Sequence, residues 1–480
     1  MKSPSVQYTI FKFTILVLMC SCAAQKQDYP RLRSVPVHYA GNTDTTSTIA
    51  QIPVRVFFSD TLLLKLIDEA LRENLELKMA YQRVVMARAG VRAARGAFVP
   101  TLNGVATAGQ RRFGEYTMDG IGNYDTNFSD NIGDDKRIPE HLPDYYLGLQ
   151  SSWEIDIWGK LRNAKRAAAA RMLATDQGRR WVTTMVVTEV ASLYYDLLSL
   201  DNELAIVNRN SALQERAVEV VKVQKLAGRA NELGVRQLTA QLLNTKGLRA
   251  RLQQEIVEVE NQLNFMLGRF PQKIERGKPI MEQRLPESIQ AGVPAQMLSR
   301  RPDVQAASYA LIAAKADVNA AHAAFFPSLT LSATVGLQSF DISRLFSAGS
   351  LAYSLLGGVT APILNRNQIR TQFQIASSAG MQAFYEYQQA SIDAYRDVVN
   401  NLSRMHNYDS MSRFKTEELD DLHLALAASN DLFATGFATY LEVIAAQRGV
   451  LDAELTLAQI RRDQFKSVIG LYRSVGGGWE

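Results

Sequence analysis

The residues best suited to acid–base or metal chemistry are scattered along the 480-residue chain. No histidine belongs to an HExxH motif or stands near a cysteine, which are the spacings of common metal sites. The histidines are His38, His141, His322, His406 and His423. GxSxG, Walker and GxGxxG patterns in a suitable context are missing as well. We therefore expect no enzymatic activity, no cofactor and no metal site.

The segment "RPDV", formed by Arg301, Pro302, Asp303 and a valine, contains residue types found in active sites. A proline at an early helical position with an acidic side chain in the first turn is also typical of a helix start. We interpret the segment as the beginning of a helix and assign it no chemistry.

The only two cysteines, Cys20 and Cys22, end a short apolar stretch near the N-terminus. Lys2 and Lys12 precede "FTILVLMC", which has the length of a secretory leader and is too short to span a membrane. The spacing "MCSC" resembles a lipobox, in which the cysteine after a small residue is acylated. Cys22 follows Ser21 and is the predicted lipidation site. Acylation of Cys20, or an ordinary leader with incidental cysteines, is the alternative.

Composition and charge are typical of a globular chain. Apolar residues make up 47% and charged residues 21% of the sequence. The formal charge of +5 falls to +3 once Lys2 and Lys12 leave with the leader. The remaining cations are spread evenly, without an aromatic-interleaved basic patch, so we expect no nucleic-acid partner.

The chain repeats itself, which indicates a duplicated structural unit. "AYQRVVMARAGVRAARGAFVPTL" from Ala80 matches "ASYALIAAKADVNAAHAAFFPSL" from Ala307 at an offset of 227 residues. Later matches, around Gly228 and Gly436, have an offset of 208. The first copy therefore carries about 19 extra residues after Pro100, in a Gly-, Asn- and Asp-rich stretch that predicts a long polar loop.

Each copy predicts helices followed by two strands and two long helices, and apolar residues alternate along the strands. On the first copy's second strand the apolar side consists of Tyr145, Leu147, Leu149, Trp153, Ile155 and Ile157. In the second copy it consists of Leu329, Leu331, Ala333, Val335 and Leu337, then Tyr353, Leu355, Val359 and Ile363. The strand after Pro100 has small residues on that side, namely Gly104, Ala106 and Ala108.

Strands with one apolar and one polar face suit a transmembrane β-barrel, whose strands need roughly 9–11 residues to cross. A soluble hairpin lying on a core is the alternative, although the helical remainder of the chain offers no second sheet. Four strands cannot close, and open edges are not tolerated in hydrocarbon. One chain must then pool its strands with copies of itself, giving eight strands from two copies or twelve from three.

The predicted helices are long. A proline-free run from Lys160 to Leu226 would reach on the order of 100 Å as one helix. The return helices place apolar residues at alternating steps of three and four, as in coiled coils. They are Leu238, Leu242, Thr245, Leu252, Ile256, Val259, Leu263 and Met266 in the first copy, and Leu441, Ile444, Leu451, Leu455, Ala458, Phe465 and Ile469 in the second.

Together these features resemble the outer-membrane efflux family (TolC-like), in its lipoprotein branch that serves resistance-nodulation-division pumps. The motifs that carry the resemblance are "SRRPDVQAASYALIAAKADVNAAHAAFFPSLTLSA", "SSWEIDIWGKLR", "TGFATYLEVIAAQR" and "SVGGGW". They occur in the family's order, and the resemblance covers about residues 52–479.

The resemblance implies a mainly α-helical fold with a transmembrane β-barrel. Three chains, each with four strands, would form a twelve-stranded barrel in the Gram-negative outer membrane, continued by a periplasmic tunnel of long helices. A mixed α/β belt would surround the middle of the tunnel, built partly from residues near the termini and around 271–296. The implied partners are outer-membrane lipid, a periplasmic adaptor and an inner-membrane resistance-nodulation-division pump.

The predicted division of the chain follows the repeat. Its parts are a signal peptide (1–21), an extended segment (22–58), repeat 1 (59–270), a linker and equatorial region (271–297), repeat 2 (298–476) and a tail (477–480). Predicted strands are at about 101–112, 144–157, 328–338 and 351–363, and predicted long helices at about 160–227, 231–268, 367–434 and 438–475.

The resemblance also implies functional residues at the two breaks between long helices. Gly228 and Gly436 would form hairpin turns at the periplasmic tip, and the small residues Ala230 and Ala438 beside them match the motif where adaptors dock. A tight turn favours glycine on backbone grounds alone, which is the structural alternative.

Glu442 is the candidate residue of the periplasmic aperture. Family members commonly place acidic residues just after the second tip, but Ala445 stands where a second acid is frequent. Three copies of Glu442 would form a ring that selects cations and raises a carboxylate's pKa. The equivalent positions of the first copy are Gly234 and Gln237. A solvated glutamate on a helix face is the alternative.

The function that follows is a passive trimeric export duct for small molecules such as drugs, toxic compounds or metal ions. One alternative is the outlet of a type I protein-secretion system, against which the lipobox and "RRPDV" argue. Another is a lipid-anchored periplasmic coiled-coil scaffold without a pore.

Overall fold

The computed structural model describes residues 28–39, 48–285, 291–363 and 366–479. The predicted leader and the lipidation candidates Cys20 and Cys22 lie outside the described residues.

The chain forms two compact units. The strand unit contains Ala87–Arg171 and Leu311–Ala383 together with residues 28–29. The helix unit contains the described residues of Pro30–Met86, Met172–Ala310 and Phe384–Glu480. Each unit takes residues from both sequence repeats, so the repeats are not themselves the compact units.

Helices and strands follow one another in the predicted order. In the first half they are α1 (Val54–Phe57), α2 (Thr61–Glu73), α3 (Leu75–Gly96), β1 (Thr101–Arg111), α4 (Met118–Thr126), β2 (Leu142–Ile155), α5 (Lys160–Leu226) and α6 (Glu232–Met266). In the second half they are α7 (Pro294–Arg300), α8 (Pro302–Ala323), β3 (Ser328–Ser339), β4 (Leu351–Thr360), α9 (Arg366–Thr435) and α10 (Tyr440–Ser474). The predicted fold class, mainly helical with two strand pairs between helices, is confirmed.

The four strands form one antiparallel sheet in the order β1-β2-β3-β4. Leu149 of β2 lies opposite Val335 of β3, which in turn lies opposite Tyr353 of β4. Because directly opposed residues point to the same face, the apolar rows predicted on three strands form one continuous apolar face. Gly104 of β1 lies opposite Leu149, so the small residues of β1 complete the same face.

Two expectations about the sheet and its surroundings were wrong. β4 ends at Thr360 instead of about 363, and Pro362 follows, which has no N–H for a strand ladder. The stretch predicted as a long polar loop contains α4 and a 3-10 turn at Asp134–Lys136. The expected α/β belt lies partly outside the described residues and stays a prediction; its described part contains an isolated bridge between Thr48 and Ala291 and no strand.

The core of the helix unit lies where α5, α6 and α10 meet the shorter segments. Tyr194 and Tyr472 are fully buried there, and Phe57 stacks on Tyr472 with ring centroids 4.0 Å apart. The predicted seam of α6 is buried at every position except Val259, which is partly buried. The predicted seam of α10 is buried or partly buried from Leu451 onward, but its first residue, Leu441, is half exposed.

Within the described ranges, no helix has a stretch both long enough and apolar enough to cross a bilayer.

Candidate functional site

The first hairpin turn, between α5 and α6, is built around Gly228. Its φ of +69° is a left-handed conformation that side-chain-bearing residues rarely adopt. The Arg229 N–H donates to the carbonyl of Gln224 at 2.8 Å, which satisfies the last turn of α5. The Asn231 side chain then caps α6 by accepting from the Gly234 N–H at 3.0 Å.

The second turn, between α9 and α10, has the same plan. Gly436 has a φ of +85°, and the Phe437 N–H donates to the carbonyl of Leu432 at 2.9 Å. Thr439 caps α10 by accepting from the Leu441 N–H at 3.3 Å. The predicted breaks at Gly228 and Gly436 are therefore both helix-ending turns with a polar cap on the following helix.

Both turns present accessible backbone with apolar side chains beside it. Apart from the adjacent residues of the chain, no described atom lies within 4 Å of a Cβ placed on Gly228 or Gly436. Leu226, two residues before Gly228, and Phe437, directly after Gly436, are 88% and 85% exposed. Each turn therefore leaves one large apolar side chain accessible to another molecule.

The two alanines predicted to assist docking are less accessible than the glycines. Ala230 and Ala438 are half-buried, and Ala230 packs against a small cluster that includes Val218 and Leu238. Their role towards a partner stays a prediction.

The two turns are also packed against each other. The ring of Tyr440 lies 3.0 Å from a Cβ placed on Gly234, so this glycine provides the space for the tyrosine. Phe433 and Ile444 of the second hairpin pack on the same cluster as Val235 of the first. The tips of the two repeats therefore form one surface within the helix unit.

Glu442 is exposed and has a defined local role. Its carboxylate accepts from the Thr439 N–H at 2.9 Å and from the Thr439 hydroxyl, which completes a capping box at the start of α10. The hydrogen bond from the Thr439 side chain lowers the pKa of Glu442. Within one chain this is opposite to the raised pKa expected for an acidic ring. Gly234, its counterpart in the first repeat, instead lies under Tyr440.

The sequence reasoning missed two features of this site. The pattern "TYLE" is a Thr-x-x-Glu capping signature that could have assigned Thr439 and Glu442 to a helix start. The contact of Tyr440 with Gly234 joins positions 206 residues apart, and no local pattern signals it.

The contacts of Arg301 also differ from the sequence-based expectation, which assigned this residue only to the beginning of a helix. Pro302 and Asp303 do open a helix, as predicted for this motif. The Arg301 side chain is only 4% exposed and forms ion pairs with Asp303 at 2.9 Å and Asp397 at 3.1 Å. It also donates to the Ser474 carbonyl at 3.3 Å. Arg301 thus joins three helices of the helix unit and has a structural role.

The strand unit presents the apolar sheet face to its surroundings. Tyr353, Leu355 and Val359 of β4 are each more than 70% exposed. Leu147 and Leu149 of β2 are exposed on the same face. The opposite face carries polar and small side chains, including Gln150 and Thr334, which are paired across β2 and β3. A sheet apolar on one exposed face matches a surface in contact with lipid.

No group of three or more His, Cys, Asp or Glu side chains is placed to hold a metal ion in the part of the chain that the structure describes.

The combination of this sheet with two pairs of long helices defines the class of outer-membrane efflux channels. The model of the family described as outer membrane efflux protein matches residues 66–269 and 293–477. The chain therefore belongs to the outer membrane efflux protein family, as the sequence motifs predicted. It is an efflux channel protein of the Gram-negative outer membrane.

Relatives and solved structures agree with this assignment. The solvent efflux pump outer membrane protein SrpC of Pseudomonas putida is 28% identical over 92% of this chain and 91% of its own length. The probable outer membrane lipoprotein SilC of Salmonella typhimurium is 26% identical over 98% of each chain. A crystal structure of CusC superposes with a TM-score of 0.79 and 26% identity, covering 95% of this chain and all of that one. The open-state MtrE channel of Neisseria gonorrhoeae has the same fold, with a TM-score of 0.82 at 23% identity and coverage of 95% and 99%.

Proposed function

We propose that three copies of this chain form one conduit whose twelve strands close into a barrel in the outer membrane. The observation that carries this proposal is the sheet, which is apolar on one exposed face and ends in β1 and β4. Neither edge has a strand partner among the described residues. Open edges are not tolerated in hydrocarbon, so β1 of one copy pairs with β4 of the next. Eight strands would leave an interior that side chains fill, whereas twelve leave room for a channel.

The conduit is passive and exports small molecules that other proteins deliver. A periplasmic adaptor and an inner-membrane resistance-nodulation-division pump are the proposed partners, and the pump supplies energy and selects the substrate. The relatives named as components of solvent and cation efflux systems support this class of partner. We propose no enzymatic activity for the chain.

The adaptor docks on the two hairpin tips at Gly228, Ala230, Gly436 and Ala438. The exposed backbone at both glycines and the exposed Leu226 and Phe437 support this assignment. Ala438→Cys should crosslink to a co-expressed adaptor, whereas Thr416→Cys, exposed on α9 about 20 residues before the turn, should not. Absence of crosslinks from both tips would count against docking here.

Cys22 is the proposed lipid anchor. Its position after Ser21 and the similarity to SilC, named a probable lipoprotein, support the assignment. Cells expressing the wild-type chain should incorporate labelled palmitate, Cys22→Ser should abolish incorporation, and Cys20→Ser should preserve it. The reverse pattern would move the anchor to Cys20, and no label in the wild type would indicate an ordinary leader.

Glu442 contributes one carboxylate per chain to the periplasmic aperture. A ring of three ionised carboxylates favours cations, so Glu442→Gln should shift the reversal potential in a salt gradient towards weaker cation selectivity. Glu417→Gln, which removes an exposed carboxylate on the preceding helix α9, serves as the matched control. Equal reversal potentials for both variants and the wild type would show that Glu442 does not line the aperture.

Conductance in planar bilayers separates the duct from its rivals. A pore-less scaffold gives no channels, and a type I outlet would support secretion of a protein substrate when combined with an ABC transporter. If the purified trimer gives no channels even with Glu442→Ala, the duct proposal fails.

A further inference from the structure

The connection between β1 and β2 is a folded element with its own cleft. Thr117 caps α4 by accepting from the Gly120 N–H at 3.1 Å. The Asn127 amide exchanges two hydrogen bonds of 2.8 Å with the backbone of Ile138. Arg112 pairs with Glu140 at 2.5 Å. These contacts enclose a cleft of about 590 Å³ whose apolar lining includes Phe113, Ile121, Tyr124 and Ile138.

The cleft is open to solvent in the single chain, and its lining also carries the charged side chains of Arg112, Glu115 and Glu140. Large apolar side chains are exposed along the segment that forms it. Tyr116 and Met118 are 96% and 92% exposed, and Ile121, Tyr124 and Phe128 are also exposed. An isolated exposed apolar residue needs no explanation, but five along one short ordered segment indicate a surface that another molecule covers.

The topology of the sheet favours a second copy of this chain as that molecule. β1 and β4 are the edges of the sheet and run antiparallel to each other. Closing a ring of copies pairs β1 of one chain with β4 of the next in a head-to-tail arrangement. Arg111, where β1 ends, and Leu351, where β4 begins, lie at the same end of the sheet. The β1–β2 connection of one copy therefore meets the β3–β4 connection of its neighbour.

The β3–β4 connection presents a matching apolar side chain. Phe346 and Ile342 are 75% and 63% exposed, and Phe346 lies between two 3-10 turns. The Ser350 hydroxyl donates to the Arg344 carbonyl at 2.7 Å, and Arg344 pairs with Asp135 of its own chain at 2.9 Å. The segment that carries Phe346 is thus held in place before any neighbour arrives.

We propose that Phe346 of one copy packs into the cleft between β1 and β2 of the adjacent copy and clasps neighbouring chains together at this end of the barrel. The proposal rests on the trimeric assembly proposed above. It gives a role to the extra residues of the first repeat, since they form the cleft that receives the side chain.

Cysteine crosslinking tests the clasp directly. Full-length protein carrying both Ile121→Cys and Phe346→Cys should form, on oxidation, a three-chain species that resists SDS and is lost on reduction. Each single variant measures the background of disulfide formation and should give no such species. The mass of the detergent-solubilised assembly, measured on the same samples, reports the trimer independently.

A second variant removes the side chain without adding a crosslink. Phe346→Ser should lower the temperature at which the assembly dissociates in SDS, whereas Phe270→Ser, which removes an exposed phenylalanine that follows α6, should not. A three-chain mass with no crosslink and unchanged dissociation of Phe346→Ser would overturn the clasp and leave the trimer standing. A one-chain mass would contradict the trimer and the clasp together.

Discussion

At the scale of single residues, the sequence predicted the helix start that follows Arg301 but not the buried ion pairs that Arg301 forms. The helix start at Pro302 follows from proline and acidic residue preferences, which act locally. The burial of Arg301 and its contact with Asp397 depend on a helix almost 100 residues further along the chain. Sequence reasoning supplied the first property and had no means to supply the second.

Arg301→Met should destabilise the protein by about 2 kcal/mol, because it leaves two carboxylates without their buried cation. The expected loss of stability is smaller than for a fully buried ion pair because Asp303 and Asp397 are 25% and 30% exposed. Arg396→Met is the matched control, since it removes the exposed partner of Asp397 at 3.2 Å and should change stability by less than about 1 kcal/mol. Thermal unfolding in detergent compares the two, and equal losses would show that Arg301 contributes no more than a surface charge.

The capping box at Glu442 predicts a pH dependence at the second tip. A depressed pKa in the folded state gives stability that is present above the ordinary glutamate value of about 4.3 and is lost as the pH falls through the lower folded value. Hydrogen exchange of the first amides of α10 should therefore become relatively faster, after correction for intrinsic rates, below about pH 4.3 in the wild type. Glu442→Gln should remove this change.

Thr439→Ala should accelerate exchange of the same amides at neutral pH. Thr435→Ala is its control, because the Thr435 hydroxyl donates only to carbonyls of its own helix. Equal exchange in Thr439→Ala and the wild type would show that the capping box does not stabilise the tip.

At the scale of secondary-structure elements, most of the fold could be predicted because local signals agree. Apolar residues at every second position predicted the strands, and a long run without proline predicted α5. The predicted apolar rows are also in register across β2, β3 and β4. The residues of the strand connection escaped prediction because α4 is only nine residues long and has no strong apolar periodicity. The end of β4 at Thr360 depends on hydrogen bonding that residue types indicate only through Pro362.

The hairpin turns predict opposite effects of the same substitution in two places. Gly436→Ala should destabilise the protein by about 1 kcal/mol, because alanine is strained at a φ of +85°. Gly247→Ala, inside α6, should stabilise it by about 0.5–1 kcal/mol, because alanine favours a helix. No described atom crowds a Cβ at either position, so packing does not confound the comparison. Equal shifts in the unfolding temperature would mean that the turn is not held in its left-handed conformation.

At the scale of the whole molecule, the sequence predicted the family and the function but not how the residues of the hairpin tips are packed. Motifs in the order of the family gave the efflux channel, and the family model and the relatives confirmed it. The packing of the two hairpin tips could not be predicted from such motifs. The contact of Tyr440 with Gly234 and the half-buried positions of Ala230 and Ala438 arise from packing between distant segments, which no single motif records.

The central claim is that the open-edged, apolar-faced sheet is one third of a membrane pore. Its most direct test is the single-channel current of the purified full-length protein in planar bilayers, with the mass of the detergent-solubilised assembly measured on the same preparation. A trimeric pore should give a mass of three chains and discrete channels in the wild type or, if the aperture is closed, in Glu442→Ala. A stable single-chain species, or a three-chain species that conducts in neither form, would contradict it.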